Sequence, residues 1–138
     1  QTCALPISAD AWPDDVERID DLTSVLAMSD MFSLHMPLTD DNGGLIDAVA
    51  LSAMKPGSYF INVSRGGLMD IDAVVAALDS GRLAGAGLDV FPHEPMTLGQ
   101  AILSHPRATL GPQAAFFSTA ADEERSEERR VGKAWRAR

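Results

Sequence analysis

Three short runs hold most of the side chains that could do chemistry. In Asn62-Val63-Ser64-Arg65-Gly66-Gly67-Leu68-Met69-Asp70 a single guanidinium follows an apolar, β-forming segment and precedes a glycine pair. In Gly85-Ala86-Gly87-Leu88-Asp89-Val90-Phe91-Pro92-His93-Glu94-Pro95 two carboxylates, Asp89 and Glu94, follow another such segment. An arginine's planar fork matches a carboxylate or a 2-oxo acid bidentately. Gly66 and Gly67 would let the backbone turn sharply beside it and a ligand approach. Open α/β sheets build their ligand sites beyond the carboxyl ends of their strands, where residues that follow strands gather. The third run, Gly111-Pro112-Gln113-Ala114-Ala115-Phe116, carries Gln113. Its carboxamide donates and accepts hydrogen bonds but exchanges no proton at physiological pH.

The elements that would position these residues follow from hydropathy patterning and capping. Residues 16–19 read as a short β segment. Asp21 is placed to cap a helix over 22–29, with Leu22, Val25 and Leu26 as its apolar stripe. A strand is expected over 31–35, stopped by Pro37, and a helix over 45–54, ended by Pro56-Gly57. The strand over 58–63 is dense in β-formers and is expected to be covered on both faces. The helix over 71–80 is the clearest element: Ile71, Val74, Val75 and Leu78 share one face, Asp70 is its N-cap and Gly81 its C′ residue. Strands over 83–88 and 108–110 complete a strand–helix–strand alternation that suits right-handed βαβ units in a parallel sheet. Gly85-Ala86-Gly87 is the sole G-x-G. It is read as running into a strand over 88–91 rather than a helix, so it marks close backbone packing and not a phosphate loop.

Together the Arg65 and Asp89–Glu94 runs resemble the NAD-dependent D-isomer-specific 2-hydroxyacid dehydrogenases, in the later part of their nucleotide-binding domain, over roughly residues 22–118. Taken singly, an arginine before a helix and a glutamate before a proline are ordinary surface groups; the match to the family pattern gives them roles. The resemblance implies an α/β fold, a Rossmann-like doubly wound parallel sheet, truncated because its first βαβ unit with the Gly-rich loop is missing. It implies NAD as cofactor and a small 2-hydroxy or 2-oxo acid as substrate. Arg65 would bind substrate, Glu94 would partner the acid–base histidine, and Gln113 stands where the family places that histidine. Implied cofactor contacts are Met36, Pro37, Val63, Ser64, Arg65, Asp89, Gln113 and Ala115, with Asp89 near the nicotinamide and Val63 and Ser64 by its ribose. His35 is read as a structural strand-end histidine, and neither His93 nor His105 is expected to substitute at position 113. Pro-x-Ala-Ala-Phe-Phe-Ser around Gln113 resembles the branch holding glycerate-type dehydrogenases and the C-terminal-binding-protein corepressors. Two readings follow: a dehydrogenase, or a catalytically impaired nucleotide-sensing or corepressor-like scaffold.

Composition bounds these readings. At 138 residues, 46% hydrophobic and 22% charged, the chain suits one globular domain. A net charge of −9 disfavours nonspecific nucleic-acid binding. No apolar run reaches membrane-spanning length, and no metal-ligand cluster is expected. The single cysteine, Cys3, excludes an internal disulfide framework and, with no signal peptide evident, makes the cytoplasm the expected compartment. Residues 8–124 read as a partial NAD-binding domain, whereas 1–7 and 125–138 resemble translated sequencing-adapter tails. The full-length parent is expected to be a homodimer. With the first βαβ unit missing, the strand over 31–35 would show a bare apolar edge, and the isolated chain is expected to be marginally folded and to bind NAD poorly.

Overall fold

The computed structural model describes residues 16–97 and 99–114. Along the chain come α1 (Leu22–Met28), β1 (Met31–Leu34), α2 (Ala48–Ala53), β2 (Ser58–Asn62), α3 (Ile71–Asp79), β3 (Leu83–Leu88) and β4 (Ala108–Leu110). Two 3-10 turns, Gly66–Leu68 and Ala101–Ser104, lie between them. The strands form one parallel sheet in the order β1-β2-β3-β4. Parallel neighbours cannot be joined by a tight hairpin, so a helical segment crosses over between each pair. All strands therefore end on the same side, and the segments after β2, β3 and β4 meet there.

Register sorts the side chains into two faces. Phe32, Phe60 and Ala86 stand side by side, as do Leu34, Asn62 and Leu88, and all six are buried. They form one core with Val25, Leu26, Leu51, Val74 and Leu78 of the helices, all but Asn62 being apolar members of that cluster. The Phe32 and Phe60 rings stack with centroids 6.4 Å apart. Val74 and Leu78 are fully buried, each burial contributing about 1.5–3 kcal/mol. The other face carries Met31, Tyr59 and Gly85 in one row, and Met31 is 53% exposed and Tyr59 48%. The expectation that residues 58–63 are covered on both faces is thus corrected: among the described residues β2 alternates, one face packed and one open.

Each helix starts on an aspartate. Asp21 accepts from the Ser24 N–H at 2.7 Å, Asp47 from Ala50 at 2.8 Å, and Asp70 from Asp72 and Ala73 at 3.0 and 3.2 Å. Each carboxylate satisfies N–H groups that have no partner inside the helix. Gly81 follows α3 with φ +75°, the left-handed conformation a C′ residue needs. Before β1, Asp30 receives the Lys55 ammonium at 2.8 Å, and this hydrogen bond and charge hold its carboxyl below the usual range.

Three expectations are corrected. The second helix starts at Ala48, not at residue 45: the Ile46 N–H donates to Leu68 O at 2.9 Å and Asp70 N–H to Ile46 O at 3.0 Å, a parallel bridge that holds this stretch extended. Residues 16–19 join no strand. Ile19 packs against the core instead, and a run of β-formers becomes a strand only where a ladder receives it. Finally β3 spans Leu83–Leu88 as expected, with Gly85-Ala86-Gly87 inside it, but no separate strand follows over 88–91. The close-packing reading of that tripeptide holds: a Cβ at Gly85 would stand 3.1 Å from the Tyr59 ring and 3.4 Å from Arg107 O. No described helix is long and apolar enough to cross a membrane.

Among the described residues β1 pairs on one side alone, with β2. An open edge with an exposed apolar residue invites pairing between copies. The 138-residue chain is therefore expected to self-associate through β1, and Met31→Lys to shift it toward monomer on size-exclusion chromatography. Unchanged elution of the folded variant would place the association elsewhere.

Candidate active site

The segment after β2 is organised by Asn62. Its side chain is fully buried, yet all its hydrogen bonds go to the loop: Nδ2 donates to Arg65 O at 2.9 Å, and Oδ1 accepts from the Ser64 N–H and Oγ at 3.1 Å each. A buried amide left unpaired is costly, so the loop is held to the shape that pairs it. Sequence reasoning gave Asn62 no role. Its signal was a polar residue at an inward-facing position of an otherwise apolar strand face. Arg65, at the end of this loop, is exposed and donates from one guanidinium nitrogen to Ser64 O at 2.7 Å. Among the described residues no carboxylate pairs with it.

Gly66 decides how the next loop sits. A Cβ there would overlap the Phe91 carbonyl group and stand 2.5 Å from Pro92 N. At Gly67 a Cβ would meet Leu38 Cδ2 at 2.8 Å. Both glycines make room for the protein itself, and both also line the cavity described next. The Asp89–Glu94 segment consequently lies against the Arg65 loop. Within it the Glu94 carboxylate accepts from the Phe91 N–H at 3.2 Å.

Arg65, Glu94 and Gln113 all line one cavity of about 270 Å³, with Leu38, Phe91 and Pro92 among its apolar walls. Gln113 has φ +58°, the left-handed region. The three polar groups come from three strand ends and are separated by 29 and 19 positions of chain (65 to 94, 94 to 113), and the parallel topology brings those three ends to one side of the sheet.

Other residues singled out earlier lie around this cavity rather than in its lining. Met36 packs against the core, and Pro37 O accepts from Asn42 Nδ2 at 2.9 Å. Leu38, next along, is the member of that segment that reaches the cavity; the alternation past Pro37 gave no clue to it. Val63 and Ser64 are half-buried behind Arg65. Asp89 is 9% exposed, and its Oδ1 accepts from the Ala114 N–H at 2.9 Å. Ala115 lies outside the described residues. His35 Nε2 is 2.8 Å from Ser33 Oγ. His105 precedes β4, at the opposite end of the sheet, with Nε2 3.2 Å from Asp79 Oδ1. His93 is exposed and outside the cavity lining. Among the described residues no three His, Cys, Asp or Glu side chains are grouped to hold a metal.

A parallel sheet with its polar groups gathered past the strand ends defines a nucleotide-binding type of α/β domain. The chain belongs to the D-isomer specific 2-hydroxyacid dehydrogenase, NAD binding domain family, which it matches over residues 7–115. It is 46% identical over 93 residues to the (S)-sulfolactate dehydrogenase of Chromohalobacter salexigens, covering 67% of this chain and 30% of that protein. To D-3-phosphoglycerate dehydrogenase of Escherichia coli it is 48% identical over 80 residues, 58% of this chain and 20% of the relative. Among solved structures, apo D-mandelate dehydrogenase of Rhodotorula graminis superposes with a TM-score of 0.76 at 32% identity, over 89% of this chain and 36% of that one. A Xanthobacter autotrophicus family member in complex with NADPH and MES gives 0.67 at 35% identity, over 82% and 48%. The chain thus spans less than half the length of each of these proteins.

The described residues fit one end of a dinucleotide. The cavity offers a cation, Arg65, and two hydrogen-bonding groups, Glu94 and Gln113. A pyrophosphate needs free N–H groups at a helix N-terminus, and the N-termini of α1, α2 and α3 are each already capped by an aspartate.

Proposed function

We propose that this chain is the substrate-facing part of an NAD-dependent 2-hydroxyacid dehydrogenase, interconverting a small 2-hydroxy acid and its 2-oxo acid. The observation that carries the reading is the convergence of Arg65, Glu94 and Gln113 on one cavity at the carboxyl ends of the strands. In this reading Arg65 holds the substrate carboxylate through its fork, which no described carboxylate occupies. The apolar walls from Leu38, Phe91 and Pro92 limit water around the reacting carbon. When bound, the nicotinamide supplies or takes up the hydride. Met36, Pro37, Val63, Ser64, Asp89 and Ala115 are the proposed residues around that cofactor, reached directly or through the loops they hold.

Gln113 sets the limit on this chemistry. Its amide donates a hydrogen bond to the substrate's 2-oxo oxygen and so orients and polarises it, but no proton leaves the side chain. Proton transfer by a positioned acid or base contributes about 10²–10⁴-fold. The proton that accompanies the hydride must then come from water, with Glu94 in the cavity wall as the carboxylate that orders it.

Two outcomes are expected for the full-length product of the gene, assayed with NADH and a panel of 2-oxo acids. Arg65→Lys keeps the charge but loses the fork, and is expected to lower kcat/KM by at least tenfold. Turnover equal to wild type would remove Arg65 from substrate binding. Gln113→His is expected to raise kcat by about 10²–10⁴-fold and to introduce a pH dependence with an imidazole-like pKa. No gain with cofactor binding intact would mean that the site binds a ligand without turning it over.

A further inference from the structure

Asp89 is placed differently from the residues that line the cavity. Its backbone N–H donates to Asn62 O at 3.0 Å, which fixes it to the end of β2. Its carboxylate turns toward the third loop, where Oδ1 accepts the Ala114 N–H at 2.9 Å. Gly111 makes this possible. Its N–H continues the ladder to Leu88 O at 2.8 Å, and a Cβ on it would overlap Asp89 Oδ1 and stand 3.1 Å from Cγ. Any side chain at position 111 would therefore drive the carboxylate out of its place.

Between these two fastened points lies Gln113, at φ +58°. L-residues adopt that conformation rarely, and a non-glycine residue stays there when its surroundings impose it. The Gly111 bond fixes one side of the turn and the Asp89 bond the other. We propose that Asp89 is a positioning residue that clasps the 111–114 turn and so presents Gln113 to the cavity, with Gly111 as the position that leaves it room. Asp89 does not line the cavity that Arg65, Glu94 and Gln113 share, so it acts on a ligand in that cavity through Gln113. The catalytic consequence rests on the function proposed above; the clasp itself does not.

Amide hydrogen exchange on the 15N-labelled 138-residue chain tests the clasp without substrate. Ala114 is expected to be protected in wild type and in Asp89→Asn, which keeps an oxygen acceptor at the same atom. In Asp89→Ala and in Gly111→Ala its exchange is expected to rise at least tenfold, while the amides of α3 keep their rates, and the double variant should be no faster than either single one. Should Asp89→Ala not fold, Gly111→Ala carries the same test with Asp89 intact. Unchanged Ala114 exchange in the folded variants would overturn the proposal. In the full-length gene product, Asp89→Ala is expected to lower kcat on a 2-oxo acid at least tenfold with KM changed less than twofold, and Asp89→Asn to restore it. Lost protection with kcat intact would keep the clasp and overturn the role of Gln113 alone.

Discussion

The contact at Gly66 is the constraint from which the site follows. The backbone of Phe91 and Pro92 occupies the volume a side chain at position 66 would need, so the loops after β2 and β3 touch main chain to main chain. Protein interiors have little spare volume, and a single added methyl at such a contact must move one of the two loops. Arg65 precedes this contact directly and Glu94 follows it by two residues, which is why a cation and a carboxylate from distant parts of the chain face the same cavity. Gly67 repeats the arrangement with Leu38, bringing the segment after β1 into the wall.

Two buried polar residues then set the loops' shapes. Asn62 binds the turn that ends in Arg65, and Asp89 binds the turn that contains Gln113. The Asp89 N–H donates to the Asn62 carbonyl oxygen, so the two are joined as one hydrogen-bonded unit across β2 and β3. Polar groups in the core are retained where their partners are complete. Here those partners include backbone groups of the loops that carry the site: Arg65 O, Ser64 N–H and Ala114 N–H.

How much of this was legible in the chain depends on the range of the interactions. In α3 the apolar spacing, the Asp70 cap and Gly81 all agree, and the element appears within a residue of its expected bounds. The four strands of the sheet were equally legible, because β-formers alternate with helical stretches at βαβ spacing, but the β-formers of 16–19 find no ladder and stay outside it. The start of α2 was not: Leu45 and Ile46 satisfy helical periodicity, yet their neighbourhood is claimed by a bridge to Met69. The three residues with the strongest chemical character were found from their place after strands and from the family pattern. The Ala114 N–H that Asp89 binds lies 25 residues away, and the occupant of the space at Gly66 is another loop; local pattern holds neither.

The central claim is that this close approach builds a site for a 2-oxo acid. Titration of the 15N-labelled chain with oxamate, an isostere of such an acid, tests it most directly when wild type and Gly66→Ala are followed side by side by NMR. The expected result is saturable shifts at Arg65, Gly67, Phe91, Glu94 and Gln113 in wild type, none around Asp79 and His105 at the far end of the sheet, and at least tenfold weaker binding in a folded Gly66→Ala. Equal affinity in the two proteins, or shifts confined to residues outside the cavity, would contradict the account.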